Sequence, residues 1–286
     1  MRRQSITRAA SLVVATFTLF AGLMAVNTSS ASAQTFTGIR NTKHNLSSMT
    51  ITNDTRNNAS NTVGEVCVFC HTPHGSSTTA AAPLWNRKID ASKQYDLYKG
   101  NGAFDGASTI GFIASSVSLA CLSCHDGTQA MDTVLNAPGS GKYDAGGFAI
   151  NGGWKSPSGS GAQSGGMLTG VANLGGANGK DLTNDHPVGM EYAKWAGATR
   201  TLDADFKEAV RLGTKDIWYV ESGKGDANTR DKKDMWLYTR DSTNSTLTAA
   251  TPYVECASCH DPHEETSTFL RIPNTNSDVC LTCHTK

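Results

Sequence analysis

The stretch Cys256-Ala257-Ser258-Cys259-His260-Asp261-Pro262-His263 holds the pattern that decides the fold: two cysteines, two residues apart, followed at once by a histidine. This C-x-x-C-H unit occurs four times, and none of the eight cysteines lies outside it. A framework of four disulfides would not require that regular spacing. The four units are Cys67/Cys70/His71, Cys121/Cys124/His125, Cys256/Cys259/His260 and Cys280/Cys283/His284.

The spacing suits the covalent attachment of haem. Two thiols one helical turn apart can add to the two vinyl groups of one haem, while the following imidazole reaches the iron. A single unit could instead be a redox dithiol, and two C-x-x-C pairs could form a zinc site. Because all four units carry their own histidine, the sequence predicts four covalently attached c-type haems.

The remaining histidines match the remaining coordination positions. The chain has eight histidines, and the four outside the motifs are His44, His74, His186 and His263. Each iron has two axial positions, so these four predict bis-His ligation of every haem. The ordinary alternative for each is a solvated or hydrogen-bonded histidine. The rival sixth ligand is methionine, and the candidates are Met49, Met131, Met167, Met190 and Met235.

Chain reach limits which histidine serves which haem. Two imidazoles on opposite sides of one iron hold their Cα atoms about 12 Å apart, with metal–nitrogen bonds of about 2 Å each. His71 and His74 are three residues apart, and three residues span at most about 11 Å. They therefore belong to different haems, and the same holds for His260 and His263. Chain order then suggests His74 as the sixth ligand of the second haem and His263 as that of the fourth, which leaves His44 for the first haem and His186 for the third by elimination.

The first residues have the pattern of an export signal. Arg2, Arg3 and Arg8 precede an apolar stretch, 9–26, and Ala31-Ser32-Ala33 forms a small-x-small cleavage site. We predict a signal peptide over 1–33 and a mature chain over 34–286, with no membrane span after cleavage. An uncleaved anchor is the alternative, but it needs about 20 strongly apolar residues.

Charge and composition exclude one class of partner. The chain has 25 basic and 25 acidic residues, and the predicted mature part has 22 and 25, a formal charge of −3. There is no basic footprint for nucleic acid. Charged residues make up only 17% of the chain and glycines number 28, which favours a loop-rich fold whose core is completed by something other than side chains.

The pattern between the motifs predicts little regular structure. An N-terminal arm, 34–66, carries His44, and a glycine-rich loop spans 139–179. The periodicity of 202–213 predicts a helix. The aromatic runs 217–220 and 235–238 predict two strands that form a small β-hairpin with a long loop. The predicted fold class is thus a mostly irregular, haem-stapled chain with short helices and one small hairpin.

Filled coordination positions predict the kind of function. An iron with two protein ligands can change oxidation state but has no open position for a substrate. We therefore expect electron transfer at low potential, and no enzyme activity. We also expect the chain without haem to be unfolded, because haem attachment replaces missing core energy.

The motifs and their flanks resemble those of multihaem c-type cytochromes, most closely the tetrahaem outer-surface cytochromes that polymerise into extracellular filaments. The resemblance implies four haems in a stacked chain that continues through a homopolymer, with one axial histidine donated between subunits; His44 on its arm is the candidate. It also implies redox proteins or extracellular acceptors as partners, and an extracellular or outer-surface location. The resemblance rests on 43–47, 67–75, 121–127, 185–189, 256–263 and 280–284.

Two other classes remain open at this point. A monomeric periplasmic electron carrier would hold the same four haems, with His44 bound within its own chain. A multihaem oxidoreductase would need one iron with an open position, and no motif deviates in a way that suggests one.

Overall fold

The computed structural model describes the C-x-x-C-H units and most of the chain around them. All described residues belong to one compact unit, Phe36–Lys286, and the predicted signal peptide lies outside them. Within this part of the chain no helix is long and apolar enough to cross a membrane. The described residues are 38–49, 60, 62–98, 111–112, 115–139, 141–150, 166–198, 202–213, 217–227, 229–239 and 251–286.

The α-helices coincide with the cysteine motifs. Helix α1 is Ser118–His125, α2 is Cys256–Cys259 and α3 is Asp278–Cys283. The first motif begins with a 3₁₀ turn, Cys67–Phe69. The prediction of short helices is confirmed, and each helical turn sets two cysteines on one face. Other 3₁₀ turns are Ile39–Asn41, Gly170–Ala172, Gly176–Asn178, Ser267–Phe269 and Thr275–Ser277.

The largest sheet among the described residues is antiparallel and five-stranded. Its strands, in spatial order, are β5 Met190–Glu191, β9 Pro252–Val254, β8 Met235–Thr239, β7 Trp218–Val220 and β6 Val210–Arg211. Trp218 pairs with Leu237 across β7 and β8, so the two aromatic runs form strands as predicted, joined by an irregular connection. The sheet is larger than the single hairpin that the sequence predicts, because strands from elsewhere in the chain join both sides. Two short strands, β1 Asp96–Leu97 and β4 Asp181–Leu182, pair in parallel in a separate two-stranded sheet.

The predicted helix over 202–213 is wrong. This segment contains strand β6 and turns, and its backbone N–H groups bond to distant chain: Lys207 N–H donates to the carbonyl of Cys283 over 2.8 Å, and Ala209 N–H to that of Lys194 over 2.8 Å. These long-range bonds replace the bonds to the preceding turn that a helix needs. Val210, which is β-branched and suits a strand, pairs with Tyr219.

The glycine-rich segment is only partly a loop. Strand β2, Thr133–Asn136, pairs with β3, Tyr143–Ala149, so the loop prediction for 139–179 is wrong at β3. Val134 lies opposite Phe148 in this pair, and the buried face of β2 supplies the packing that the glycines of β3 lack. Residues 151–165 lie outside the described residues.

The apolar core is divided into clusters that lie against the motifs. One cluster, called here the aromatic cluster, consists of buried Tyr192, Trp195, Ala209, Trp218, Val220, Met235, Leu237 and Ile272, and both Cys259 and Cys283 pack against it. The arm cluster consists of Leu46, Val63, Phe69, Met131 and Leu168, and Cys70 and Cys124 pack against it. Leu46 thereby anchors the arm that carries His44.

Candidate haem-binding site

Each motif folds into one helical turn that ends at its histidine. The N–H of His71 donates to the carbonyl of Cys67 over 2.8 Å, and that of His284 to Cys280 over 2.9 Å. The N–H of His260 donates likewise to Cys256 over 3.1 Å, and His125 is the last residue of α1. Residues three apart on a helical turn share a face, so the two thiols of each motif point to one side with the histidine next to them.

A second segment, which we call a strap, crosses the first motif. Thr72 N–H donates to the carbonyl of Leu84 and Asn86 N–H to that of Cys70, each over 2.8 Å. Between these bonds, His71 and Trp85 form an antiparallel bridge. The strap therefore fixes the backbone on both sides of the histidine.

The third motif carries the same strap. Asp261 N–H donates to the carbonyl of Phe269 over 2.8 Å, and Arg271 N–H to that of Cys259 over 2.9 Å, with a bridge between His260 and Leu270. The first and third motifs, each followed by a Pro-His pair, are thus two copies of one module.

At the fourth motif the strap comes from earlier in the chain. Thr285 N–H donates to the carbonyl of Asp205 and Lys207 N–H to that of Cys283, both over 2.8 Å, around a bridge between Phe206 and His284. Because a strap can precede or follow its motif, no spacing in the sequence reveals it.

Six imidazoles have their Nδ1 next to an oxygen acceptor. A carbonyl or carboxylate oxygen cannot donate, so Nδ1 carries the proton and Nε2 keeps a lone pair for a metal. This tautomer fits haem ligation. The pairs are His44 with Pro262 O (3.3 Å), His71 with Pro83 O (2.7 Å), His125 with Ala172 O (2.8 Å), His186 with Pro187 O (3.1 Å), His260 with Thr268 O (2.7 Å) and His263 with Asp261 Oδ1 (2.9 Å).

Six imidazoles also form three facing pairs at similar separations. Two metal–nitrogen bonds of about 2 Å each, plus the distance from each nitrogen to its ring centre, would separate ring centres by about 6 Å. The observed separations fit that spacing, so each pair could hold one iron between its rings. The ring pairs are His44 with His125 at 6.1 Å, His71 with His263 at 6.2 Å and His186 with His284 at 6.5 Å.

The ring pairs differ from the assignment by chain order. His44 faces His125 rather than His71, because Leu46 is buried in the arm cluster and the His44 ring stacks on Phe269 at 3.9 Å.

The two other pairs also differ from the assignments of His263 and His186 made from the sequence. His263 faces His71 rather than His284, and His186 faces His284 rather than His260. His71 faces His263 and not His74, as the limit on chain reach requires.

His74 and His260 are left over. Both are exposed, and neither has a ring partner within the described ranges. The Nδ1 of His260 is held by Thr268, so this ring is oriented although no second imidazole faces it.

Burial favours the neutral form of three of the paired rings, His44, His125 and His186. Desolvation lowers the pKa of His44 to about 4, and it lowers the pKa of His125 and of His186 as well. A neutral imidazole is the form that ligates a metal. These rings are therefore in the ligating form near neutral pH.

The motifs adjoin one another in chain order. Cys70 and Cys124 pack on the arm cluster, and Cys259 and Cys283 pack on the aromatic cluster. The second and third motifs meet through Ser118, whose hydroxyl donates to Glu255 Oε2 over 2.5 Å and accepts from the N–H of Cys256 over 2.9 Å.

The alternatives to haem find little support in the arrangement of these residues. None of the eight cysteines forms a disulfide. In the described ranges no three His, Cys, Asp or Glu side chains converge as an ion site would require. Two methionine candidates, Met131 and Met235, are buried in the arm and aromatic clusters.

Most of the groups that orient the rings cannot be recognised from the sequence. Five of the six acceptors are backbone carbonyls, which any residue provides. Asp261 is the exception. Its carboxylate two positions before His263 is a sequence signal, since an aspartate readily accepts bonds from groups two residues ahead.

Comparison with known proteins agrees with this chemistry over the end of the chain. Residues 251–286, which contain the third and fourth motifs, match a family described as the doubled CXXCH motif. No protein of curated function matches the chain. The paired motif indicates a c-type haem-binding cytochrome with covalently bound haem, and haem-based electron transfer as its chemistry.

Proposed function

We propose that this protein conducts electrons through four bis-His c-type haems as the subunit of an extracellular cytochrome filament. The observation that carries the proposal is the set of three ring pairs, each joining a motif histidine to a spare one at 6.1 to 6.5 Å. When bound, haem supplies an iron that gains and loses one electron.

The chain's own groups account for electron transfer rather than catalysis. Two imidazoles would occupy both axial positions of an iron, which leaves no position for a substrate. The Nδ1 acceptors hold the rings in place and keep Nε2 free for the metal. Adjoining motifs keep successive haems close, which shortens each electron hop.

The proposal for assembly rests on His74 and His260. The resemblance to filament-forming cytochromes suggested His44 as the histidine donated between subunits, but His44 faces His125 of its own chain. His74 fits the donor role better, since it is exposed and has the same place in its module as His263 in the other. We propose that His74 of one subunit completes the site of His260 in the next.

The surroundings of His74 suit a contact between subunits. The side chain of Leu84, in the strap of the same motif, is 52% exposed, and that of Tyr143, which lies against Gly75, is 57% exposed. Burial of these two side chains would contribute to the stability of a filament.

A second candidate is a monomeric periplasmic carrier, and the equivalence of the two modules favours it. His71 and His263 already pair across the modules. The reciprocal pair, His74 with His260, would then form within one chain and leave no ligand to donate.

Substitution of His74 separates the two candidates. We expect His74→Met to abolish filaments in electron micrographs of secreted material, and to leave one haem without its second imidazole in the optical and paramagnetic resonance spectra. His186→Met is the matched control, because it changes one in-chain pair and should leave filaments intact.

Three outcomes would contradict parts of this proposal. Filaments and spectra unchanged in His74→Met would exclude His74 as donor. Loss of assembly in His44→Met alone would return that role to His44. A high-spin iron in the assembled native protein would mean an open coordination position, and it would favour the alternative of a multihaem oxidoreductase.

Export is tested separately. N-terminal sequencing of the secreted protein should begin at Gln34, directly after the predicted cleavage site. A mature chain that retains 1–33 would contradict the export proposal.

A further inference from the structure

Arg87 is a fully buried cation. A guanidinium has five N–H groups, and all five donate hydrogen bonds within the chain. Nε donates to Ser123 Oγ (3.2 Å), one terminal nitrogen to the carbonyls of Met131 (2.8 Å) and Thr133 (3.0 Å), and the other to those of Ser123 (2.8 Å) and Ala130 (2.9 Å).

Every one of these acceptors is neutral. Within the described ranges no carboxylate lies within ion-pair distance of Arg87. The other buried arginine, Arg271, differs in this respect, because Asp261 Oδ2 lies 3.9 Å from its guanidinium. Arg87 therefore places a positive charge inside the protein with no carboxylate in direct contact, and Asp126, which also acts on Cys124, lies beyond ion-pair distance.

Arg87 lies between the first two motifs. The N–H of its neighbour Asn86 donates to the carbonyl of Cys70, and Arg87 itself holds the carbonyl of Ser123, next to Cys124. Burial raises the pKa of both thiols, and the charge of Arg87 opposes that rise at each. Its field thus acts on both motifs.

A positive charge stabilises the reduced form of a nearby iron. Reduction adds one electron to ferric iron and needs no proton, so the local negative charge increases by one. A buried charge acts through a medium of low dielectric and is little screened by salt.

We propose that Arg87 raises the reduction potentials of the haems held by the first two motifs, so that an electron taken from a one-electron reductant resides preferentially there. This inference rests on the proposed haem-based function. It adds a preferred direction of electron transfer along the four haems, because the haems of the third and fourth motifs would have the lower reduction potentials.

The test is a spectropotentiometric titration of the haem-loaded protein carrying Arg87→Gln. The equilibrium constant for reduction of the affected haems should fall about tenfold, the effect of a unit charge roughly 10 Å away at an effective dielectric constant of about 20. For one electron, a tenfold change corresponds to about 59 mV.

Two further variants separate charge from packing. Arg87→Lys keeps the charge but loses donors, so its potentials should stay near those of the native protein. Arg271→Gln removes the arginine that has a carboxylate beside it, and it should shift potentials less than Arg87→Gln. Equal shifts in Arg87→Gln and Arg87→Lys, or none in Arg87→Gln, would overturn the proposal.

Poor folding of Arg87→Gln would not prevent a decision. Ser123→Asp keeps the arginine and places a carboxylate against it, and it should lower the same potentials. In the native protein, haem methyl resonances assigned to each motif should show the first two motifs reduced before the other two, and the reverse order would overturn the proposal. Failure of the proposed function would instead appear as missing haem or missing low-spin spectra.

Discussion

Individual imidazoles in this protein are oriented by the nitrogen that does not face the metal position. Five rings use backbone carbonyls for this purpose, whereas His263 uses the carboxylate of Asp261. The hydrogen bond from His263 is the largest cause of the pKa of Asp261 falling to about 2. Asp261 is therefore ionised near neutral pH, and His263 has a charged acceptor that the other rings lack.

Asp261→Asn should make His263 a weaker ligand. The amide oxygen can still accept a hydrogen bond but carries no charge, so it gives the imidazole less basicity. The iron held between His71 and His263 should then be reduced at a higher potential, which a spectropotentiometric titration measures.

Asp185→Asn is the matched control for this experiment. Asp185 precedes His186, but the His186 ring bonds to the carbonyl of Pro187 instead. Its substitution removes a carboxylate without touching the hydrogen bond of a ring, so it should shift the potential of the iron at His71 and His263 less than Asp261→Asn does. An equal shift at that iron would argue against a specific role for the Asp261 carboxylate.

At the scale of single residues, the sequence shows which histidines can bind a metal better than it shows which two histidines form a pair. The C-x-x-C-H spacing identifies the motif histidines, and chain reach predicts that His71 and His74 serve different haems. It does not reveal that His44 faces His125, because that contact depends on how Leu46 packs in the arm cluster. Chain order carries no information about such packing.

At the scale of elements, two helices meet end to end at Glu255. The hydroxyls of Ser116 and Ser118 donate to its Oε2 over 2.6 and 2.5 Å, and Ser118 also accepts from the N–H of Cys256. Glu255 further caps α2, because its carboxylate accepts from the N–H of Ser258 and its own N–H donates to Ser258 Oγ over 2.9 Å. This junction fixes α1 against α2.

Ser118→Ala should lower the free energy of unfolding by about 1 to 3 kcal/mol, the cost of leaving buried hydrogen-bonding groups unsatisfied. It removes a donor to Glu255 and the acceptor of Cys256 N–H together. Denaturant titration of the haem-loaded protein measures the change.

Ser116→Ala serves as the control for Ser118→Ala, since it removes only one bond to Glu255. Its effect should be the smaller of the two. If the two substitutions cost the same, the bond to Cys256 contributes nothing and the junction depends on the carboxylate alone.

The prediction of secondary structure was correct where the local sequence pattern and the long-range strand pairing favour the same structure. The aromatic runs near Trp218 and Trp236 are strands in both. The helix prediction for 202–213 is wrong because this segment serves as a strap for the fourth motif. That role depends on residues far along the chain. The backbone N–H groups that bond to the fourth motif are not free to form the hydrogen bonds of a helix, whatever the periodicity of the side chains.

At the scale of the whole molecule, cysteines of the motifs pack against the buried apolar clusters and extend the core. Burial raises the pKa of Cys70 to about 12, that of Cys259 to about 11 and that of Cys283 to about 12. Thiols with such values stay protonated and react poorly. We therefore expect haem attachment to precede closure of the chain around these thiols.

The chain without haem should be unfolded. Circular dichroism of protein produced without haem attachment should show no cooperative thermal transition, whereas the haem-loaded protein should show one, since attachment supplies folding free energy. A folded apoprotein would mean that the clusters suffice by themselves.

The placement of the straps has a consequence for the order in which the protein matures. Synthesis proceeds from the N-terminus, so the first and third motifs must wait for the residues that cross them, whereas the fourth emerges after Asp205, Phe206 and Lys207 are already available. The residues that cross its cysteines are therefore already synthesised when this motif emerges. Truncation after Asn274 would leave that strap without its motif and uncover the part of the aromatic cluster against which Val279 and Cys283 pack.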